Sequence, residues 1–142
     1  MIRISIPQMT THAPYVTVPV TAGLPAENPG HTEWLSLDAL VTNGRKDETL
    51  YVQVDGDSMQ DRGIHHGDLL VVHLRPIADN GAPVLVRMGE EYTVKNFYEI
   101  EPFERRRRLY LVPSNPHFNI KGIDERDDFE IIGVVAFILK KP

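Results

Sequence analysis

From about residue 50 onward, short apolar runs alternate with turn-forming residues, a pattern that predicts β-strands. Met88-Gly89-Glu90 separates two of these runs and predicts a hairpin. Strands at such short intervals indicate a mostly-β fold, either a barrel or a sandwich. The predicted strands are residues 50–54, 68–74, 83–88, 91–98, 109–112 and 130–139.

The first 33 residues have a different pattern, because five prolines interrupt them. Proline has no backbone N–H and disfavours helix, so we expect residues 1–33 to form an extended N-terminal arm. Val16, Val18 and Val20 alternate as in a strand, and Pro19 would restrict that strand to a sheet edge. The prolines are Pro7, Pro14, Pro19, Pro25 and Pro29.

Residues 34–142 are predicted to form a single β domain with one short helix at its start. The helix is expected from Trp34 to about Val41, with Asn43-Gly44 ending it. A chain of 142 residues suits one domain and can bury a core without covalent cross-links.

The amino-acid composition excludes several kinds of site and of protein. The chain has no cysteine, which excludes disulfides, thiolate nucleophiles and cysteine-ligated zinc. Its net charge of −5 argues against direct sequence-specific DNA binding driven by the overall field. Neither a secretory signal nor an apolar run of about 18 residues is present. We therefore expect a cytoplasmic protein without a membrane segment.

Ser58 lies in the segment that is richest in candidate chemistry. A strand is predicted to end at Val54, and a glycine-containing turn then presents the serine. Backbone N–H groups in such a turn are free of any strand ladder and can face a developing oxyanion. A serine after a turn also serves as a helix N-cap, which is the alternative interpretation of this residue.

A serine nucleophile needs a base, and two kinds are available. His65 and His66 would suit a Ser-His-Asp triad, but no Gly-x-Ser-x-Gly turn is present. Lys95 lies on the same strand face as Thr93. Burial would lower the lysine pKa and let a neutral amine take the serine proton, while Thr93 orients that amine. A lysine whose head reaches solvent is the alternative.

The segments around these two residues resemble the LexA/UmuD family of self-cleaving SOS proteins. Gly56-Asp57-Ser58-Met59 with Gly67-Asp68-Leu69-Leu70 resembles the nucleophile segment, and Tyr92-Thr93-Val94-Lys95 resembles the lysine strand. Ala22-Gly23 resembles the cleavage site. The last apolar strand, residues 129–139, resembles the closing strand of the family.

The resemblance implies a LexA/signal-peptidase-like β domain that cuts its own arm between Ala22 and Gly23. It implies Ser58 as nucleophile and Lys95 as general base. The backbone N–H groups of Asp57 and Ser58 would form the oxyanion hole. It further implies a homodimer, activation by a RecA–single-stranded DNA filament, and neither cofactor nor metal.

Within the family, the chain resembles the UmuD branch more than the LexA branch. Only 21 residues precede Ala22, too few for a helix-turn-helix domain, and Leu24-Pro25 resembles the UmuD arm. This implies a bacterial protein whose processed dimer serves a Y-family translesion polymerase. One alternative is a repressor-type C-terminal dimerisation and autocleavage domain without a polymerase role. Another is a signal-peptidase-like enzyme that cuts other proteins.

Four further features have less specific interpretations. Asp55, Asp57 and Asp61 resemble a calcium loop only in part, because Met59 and Gln60 occupy positions that need a ligand and a glycine. The pair His65-His66 lacks metal-ligand spacing. The basic run 105–108 suits a solvated hairpin tip or a contact with RecA or DNA phosphate. The strand 131–139 suits either a core strand or a dimer surface.

Overall fold

A computed structural model of the chain describes residues 3–5, 12–16, 32–101 and 108–142, with side chains from residue 35 onward. These residues form ten strands and one α-helix, α1 (Leu37–Thr42). The strands are β1 (Arg3–Ser5), β2 (His12–Val16), β3 (Thr32–Ser36), β4 (Thr49–Gln53), β5 (Leu69–Leu74), β6 (Pro83–Met88), β7 (Glu91–Ile100), β8 (Arg108–Val112), β9 (Lys121–Ile123) and β10 (Phe129–Leu139).

Eight of these strands form one antiparallel sheet in the order β1-β4-β5-β10-β6-β7-β8-β9, while β2 and β3 pair separately. The prediction of a mostly-β fold is therefore confirmed. The hairpin predicted at Met88-Gly89-Glu90 is also present, since β6 and β7 pair up to Met88 and Glu91. No helix in the described ranges is long and apolar enough to cross a membrane.

The last strand, β10, joins the two halves of the sheet. It pairs with β5 on one side and with β6 on the other, and a bulge interrupts each ladder. At Gly133 the backbone approaches β5 so closely that an added Cβ would lie 2.3 Å from the carbonyl oxygen of His73. Bulges bend a strand and increase its twist, which suits one strand that must serve two sheet halves.

Two groups of buried apolar side chains form the core, and β6 separates them. Successive strand residues point to opposite faces, so Leu85 joins the first group whereas Val84 and Val86 join the second. The first group also contains Met59, the residue after the candidate nucleophile. Its other buried members are Val52, Ile64, Leu70, Val72, Val94 and Val135.

The helix begins later than predicted. Strand β3 continues through Ser36, and α1 starts at Leu37 rather than Trp34. Ser36 is the N-cap, since its hydroxyl accepts a hydrogen bond of 3.2 Å from the Ala39 N–H. A side-chain cap at this position fixes the first turn, and Trp34 is thereby left in the strand.

The six predicted strands agree with the structure to within two residues, whereas four short strands were not predicted. These are β1, β2, β3 and β9, each of only three to five residues. Of the three alternating valines, Val16 lies in β2, while Val18, Val20 and Pro19 lie outside the described residues.

Candidate active site

Ser58 lies in the connection between β4 and the 3-10 helix Gln60–Arg62. Two backbone hydrogen bonds close the base of this loop, from the Val54 N–H to the Asp68 carbonyl (2.9 Å) and from the Gly67 N–H to the Val54 carbonyl (2.8 Å). Gly56 turns the chain with φ +110°, a conformation that favours glycine. The loop therefore holds Ser58 at the surface end of the core.

Lys95 reaches Ser58 from the middle of β7. Its Nζ atom lies 2.8 Å from Ser58 Oγ, 2.8 Å from Thr93 Oγ1 and 3.1 Å from the Val94 carbonyl oxygen. Lys95 thus contacts both of the residues predicted to act with it, Ser58 and Thr93. Lys95 meets Thr93 because the two residues share one face of the strand, and it meets Ser58 because the loop places the serine over that face.

The environment of Lys95 suits a base. Burial disfavours the ammonium form and lowers the pKa of Lys95 below the ordinary lysine value. A neutral amine has two N–H donors and one lone pair. When Thr93 Oγ1 and the Val94 carbonyl accept the two N–H groups, the lone pair is directed at the Ser58 hydroxyl. The arrangement can therefore remove a proton from Ser58.

The two backbone groups expected to bind an oxyanion are available. Among the described residues, the N–H groups of Asp57 and Ser58 donate no hydrogen bond. Beside them is a small cavity of about 60 Å³, whose lining includes Ser58, Ile64 and Val94. A cavity of this size next to a nucleophile suits a small side chain.

A larger cavity of about 680 Å³ lies at the ends of β4 and β10, where Asp68 and Lys140 form an ion pair. Burial alone would raise the pKa of Asp68, but hydrogen bonds from Lys140 and from the His65 N–H lower it overall. The carboxylate of Asp68 and the ammonium group of Lys140 are thus engaged with each other. We therefore assign the candidate chemistry to the small cavity.

The histidines do not supply a base for Ser58. His66 Nδ1 lies 3.3 Å from the Gly56 N–H and 3.2 Å from Asp55 Oδ1, and His65 Nδ1 contacts Lys140 Nζ. Within the part of the chain that the structure describes, neither histidine hydrogen-bonds to Ser58, and no three metal-ligating side chains come together. The geometry supports the lysine and not the triad.

Several predicted features lie elsewhere or outside the described residues. Ala22 and Gly23 are outside them, as is most of the basic run, of which only Arg108 is described, at the start of β8. Residues 131–139 belong to the central strand β10, and Phe137 and Ile138 are each more than a third exposed.

Sequence reasoning missed the segment after β8. The Ser114 N–H donates to the Ser58 carbonyl (2.8 Å), and the Asp61 N–H donates to the Ser114 carbonyl (2.8 Å). Ser114 and its neighbour Asn115 therefore lie against the nucleophile loop. Their only signal in the sequence is a proline-flanked polar pair after a strand, which by itself indicates a loop.

Known proteins similar to this chain support a family assignment. The family model described as Peptidase S24-like matches residues 14–136. The LexA repressor of Cellvibrio japonicus is 38% identical over 92 residues, which cover 64% of this chain and 44% of the repressor. The LexA repressor of Oleidesulfovibrio alaskensis is 34% identical over 126 residues, which cover 85% of this chain and 58% of that repressor. The chain thus spans about half the length of these curated relatives.

These similarities confirm the LexA/UmuD family as a whole. The relatives carry the name LexA repressor, so they do not support the narrower assignment to the UmuD branch. The matched residues include the Ser58 loop, the Lys95 strand and most of β10. On this basis, the chain belongs to the peptidase S24-like family.

Proposed function

We propose that this chain is a self-cleaving serine peptidase domain of the SOS response, with Ser58 as nucleophile and Lys95 as general base. The observation that carries the proposal is the 2.8 Å contact between Lys95 Nζ and Ser58 Oγ. Membership of the peptidase S24-like family supports the same chemistry. We further propose an arm, residues 1–33, that contains the scissile bond, and a peptidase domain, residues 34–142.

In the proposed reaction, Lys95 takes the hydroxyl proton as Ser58 Oγ attacks the carbonyl carbon of Ala22. The N–H groups of Asp57 and Ser58 bind the resulting oxyanion. The bond to Gly23 then breaks, and its nitrogen leaves with the proton held by Lys95. Water, deprotonated by Lys95, then attacks the acyl-serine. The ester bond to Ser58 Oγ breaks, Lys95 returns the proton to Oγ, and the new carboxyl terminus is released.

The cleft supports Ala22 as the residue on the acyl side of the bond. The cavity of about 60 Å³ beside Ser58 suits a methyl group better than a large side chain. A bond on the same chain reacts at high effective concentration, so the arm needs a pose that protects it. We propose that a RecA–single-stranded DNA filament shifts the arm toward the productive pose.

The repressors named among the relatives favour a repressor-type role, in which self-cleavage ends repression. A homodimer in the bacterial cytoplasm fits this role, and the partly exposed Phe137 and Ile138 of β10 offer apolar surface for it. A second candidate is the UmuD-type role, in which the processed dimer serves a Y-family polymerase. It rests on the resemblance of Leu24-Pro25 and Trp34-Leu35 to the UmuD arm.

Intact-mass measurement after alkaline incubation tests the proteolytic activity. The wild type is expected to split between Ala22 and Gly23, whereas Ser58→Ala and Lys95→Ala stay whole. Lys121→Ala, which changes an exposed lysine of β9, is the matched control and should split like the wild type. If all four proteins remain intact, even with activated RecA filament, the proteolytic function is wrong.

Dilution and partner binding separate the remaining alternatives. An intramolecular reaction has a rate per molecule that is independent of concentration, whereas a signal-peptidase-like enzyme would also cut added peptides. A stable complex between the processed protein and a purified Y-family polymerase, detected by size-exclusion chromatography, would support the UmuD-type role. Its absence would favour the repressor-type role.

A further inference from the structure

The segment after β8 is attached to the nucleophile loop through both main chain and side chain. Ser114 bridges the loop, since its N–H donates to the Ser58 carbonyl and its carbonyl accepts from the Asp61 N–H, both at 2.8 Å. The next residue, Asn115, is only 7% exposed. Its Nδ2 donates to the Asp57 carbonyl oxygen at 2.9 Å.

The orientation of the Asn115 amide follows from its second contact. The His117 N–H donates to Asn115 Oδ1 at 3.0 Å, and a backbone N–H can only meet the oxygen of an amide. The nitrogen must then face Asp57. Asn115 is therefore a donor to the carbonyl group just before the nucleophile.

The Asp57 carbonyl and the Ser58 N–H belong to one planar trans peptide, so they point in opposite directions. A donor that holds the carbonyl toward Asn115 thereby turns the Ser58 N–H away from it. That N–H donates to no acceptor among the described residues. It is one of the two groups assigned above to the oxyanion.

We propose that Asn115 is a positioning residue that holds the Asp57–Ser58 peptide so that the Ser58 N–H faces the developing oxyanion. This role rests on the proposed proteolytic function. Asn115 does not touch the reacting atoms and acts only through the peptide that it orients. Its contribution is to remove a rotation that would otherwise take the N–H out of the cleft.

A second asparagine, Asn96, connects the segment that contains Ser114 and Asn115 to the strand that carries Lys95. Asn96 Nδ2 donates to Ser114 Oγ (2.7 Å) and to the Val112 carbonyl (3.0 Å), while its Oδ1 accepts from Arg62 Nη1 (2.9 Å). Asn96 directly follows Lys95 in β7 and is buried. The strand that carries the base therefore also anchors the segment that orients the nucleophile.

Two substitutions at Asn115 test the role. Asn115→Asp retains the size of the side chain and the oxygen that accepts from the His117 N–H. It replaces the amide donor with a carboxylate oxygen, which repels the carbonyl oxygen of Asp57. Asn115→Ala removes both contacts. Because a misplaced donor weakens oxyanion binding, we expect self-cleavage to slow roughly 10- to 100-fold in each variant.

The pH profile distinguishes positioning from general loosening of the fold. If Asn115 only orients the peptide, the rate falls at every pH and the midpoint of the profile stays at the wild-type value. If the substitution opens the site to water, Lys95 regains its hydration and the midpoint moves upward. Thermal melting followed by circular dichroism reports folding, and Asn115→Leu, which is similar in size, uncharged and unable to make either contact, replaces Asn115→Ala if that variant does not fold.

Asn80→Ala is the matched control. Asn80 makes an equivalent pair of contacts with the backbone of Glu99, accepting at 2.7 Å and donating at 3.1 Å, away from the site. The Asn80→Ala variant should therefore cleave itself at the wild-type rate. Wild-type rates in both Asn115 variants, or a slow rate with a raised midpoint in the uncharged variant Asn115→Ala, would overturn the positioning role. If instead the wild type stays whole, or Ser58→Ala splits equally well, the proposed function itself fails.

Discussion

Lys95 Nζ lies 2.8 Å from Ser58 Oγ although 37 positions separate the two residues in the chain. The contact joins a strand residue to a loop residue, and both are partly buried. A lysine whose N–H groups have acceptors in Thr93 and Val94 is held in one orientation. The relationship has consequences for pH dependence, for Thr93 and for the residue that is cut.

The rate of self-cleavage should rise with pH. Only the neutral amine can take the serine proton, and burial lowers the pKa of Lys95. The neutral form therefore accumulates as pH increases through this lowered pKa, and the midpoint lies below the ordinary lysine value of about 10.4. Intact-mass time courses from neutral to alkaline pH measure the profile. A rate that is flat or falls with pH would contradict the assignment.

Lys95→Arg separates the need for a base from the need for a positive charge. A guanidinium remains protonated at every accessible pH, so it cannot accept the proton of Ser58. We expect cleavage to slow about 100-fold or more, the range of general-base catalysis. Lys121→Arg, on the exposed surface of β9, is the control. Wild-type cleavage by Lys95→Arg would exclude Lys95 as the base.

Thr93→Val should slow cleavage about 10-fold, because it removes the hydroxyl that accepts from Lys95 Nζ and keeps nearly the same shape. Without that acceptor, the amine lone pair is no longer directed at Ser58. Thr93→Ser retains the hydroxyl and should stay close to the wild-type rate. Equal rates for the two variants, measured at the pH of maximal wild-type cleavage, would argue that Thr93 does not orient the base.

Ala22→Leu should slow cleavage about 100-fold, because the cavity of about 60 Å³ beside Ser58 does not accept a branched side chain. Ala22→Ser adds only one atom and should be cut nearly as fast as the wild type. Both rates come from the same mass measurement. Fast cleavage of the leucine variant at the same bond would mean that another surface receives the side chain of this residue.

Gly133→Ala should reduce the free energy of unfolding by about 1–3 kcal/mol, as overpacking does in a close-packed interior. Its Cβ would lie 2.3 Å from the His73 carbonyl oxygen, so β10 and β5 must separate locally. Gly122→Ala is the matched control, since the nearest atom to its Cβ, on the side chain of Tyr110, is 3.6 Å away. Urea denaturation followed by circular dichroism compares the two. A larger loss in Gly122→Ala would contradict the packing at β10.

The strands with long apolar runs were predictable because the pattern that specifies them is local. Residues 69–74 and 83–88 each carry enough apolar side chains to identify a buried strand without knowledge of its partners. The three-residue strand β9 has no such pattern and exists because it can pair with β8. The start of α1 was mispredicted because a single capping contact at Ser36 decides it.

The candidate site likewise has residues that the sequence could predict and one that it could not. Turn residues around Ser58 and the alternation of Thr93 with Lys95 are properties of adjacent residues, so the sequence, together with the family resemblance, was enough to propose Ser58, Lys95 and Thr93 as site residues. The structure places Lys95 within hydrogen-bond distance of the other two. Asn115 contacts Asp57 across 58 positions, and no local pattern indicates that pairing. Only the tertiary structure decided which side chain supports the nucleophile loop, because that support depends on where β8 ends relative to β4.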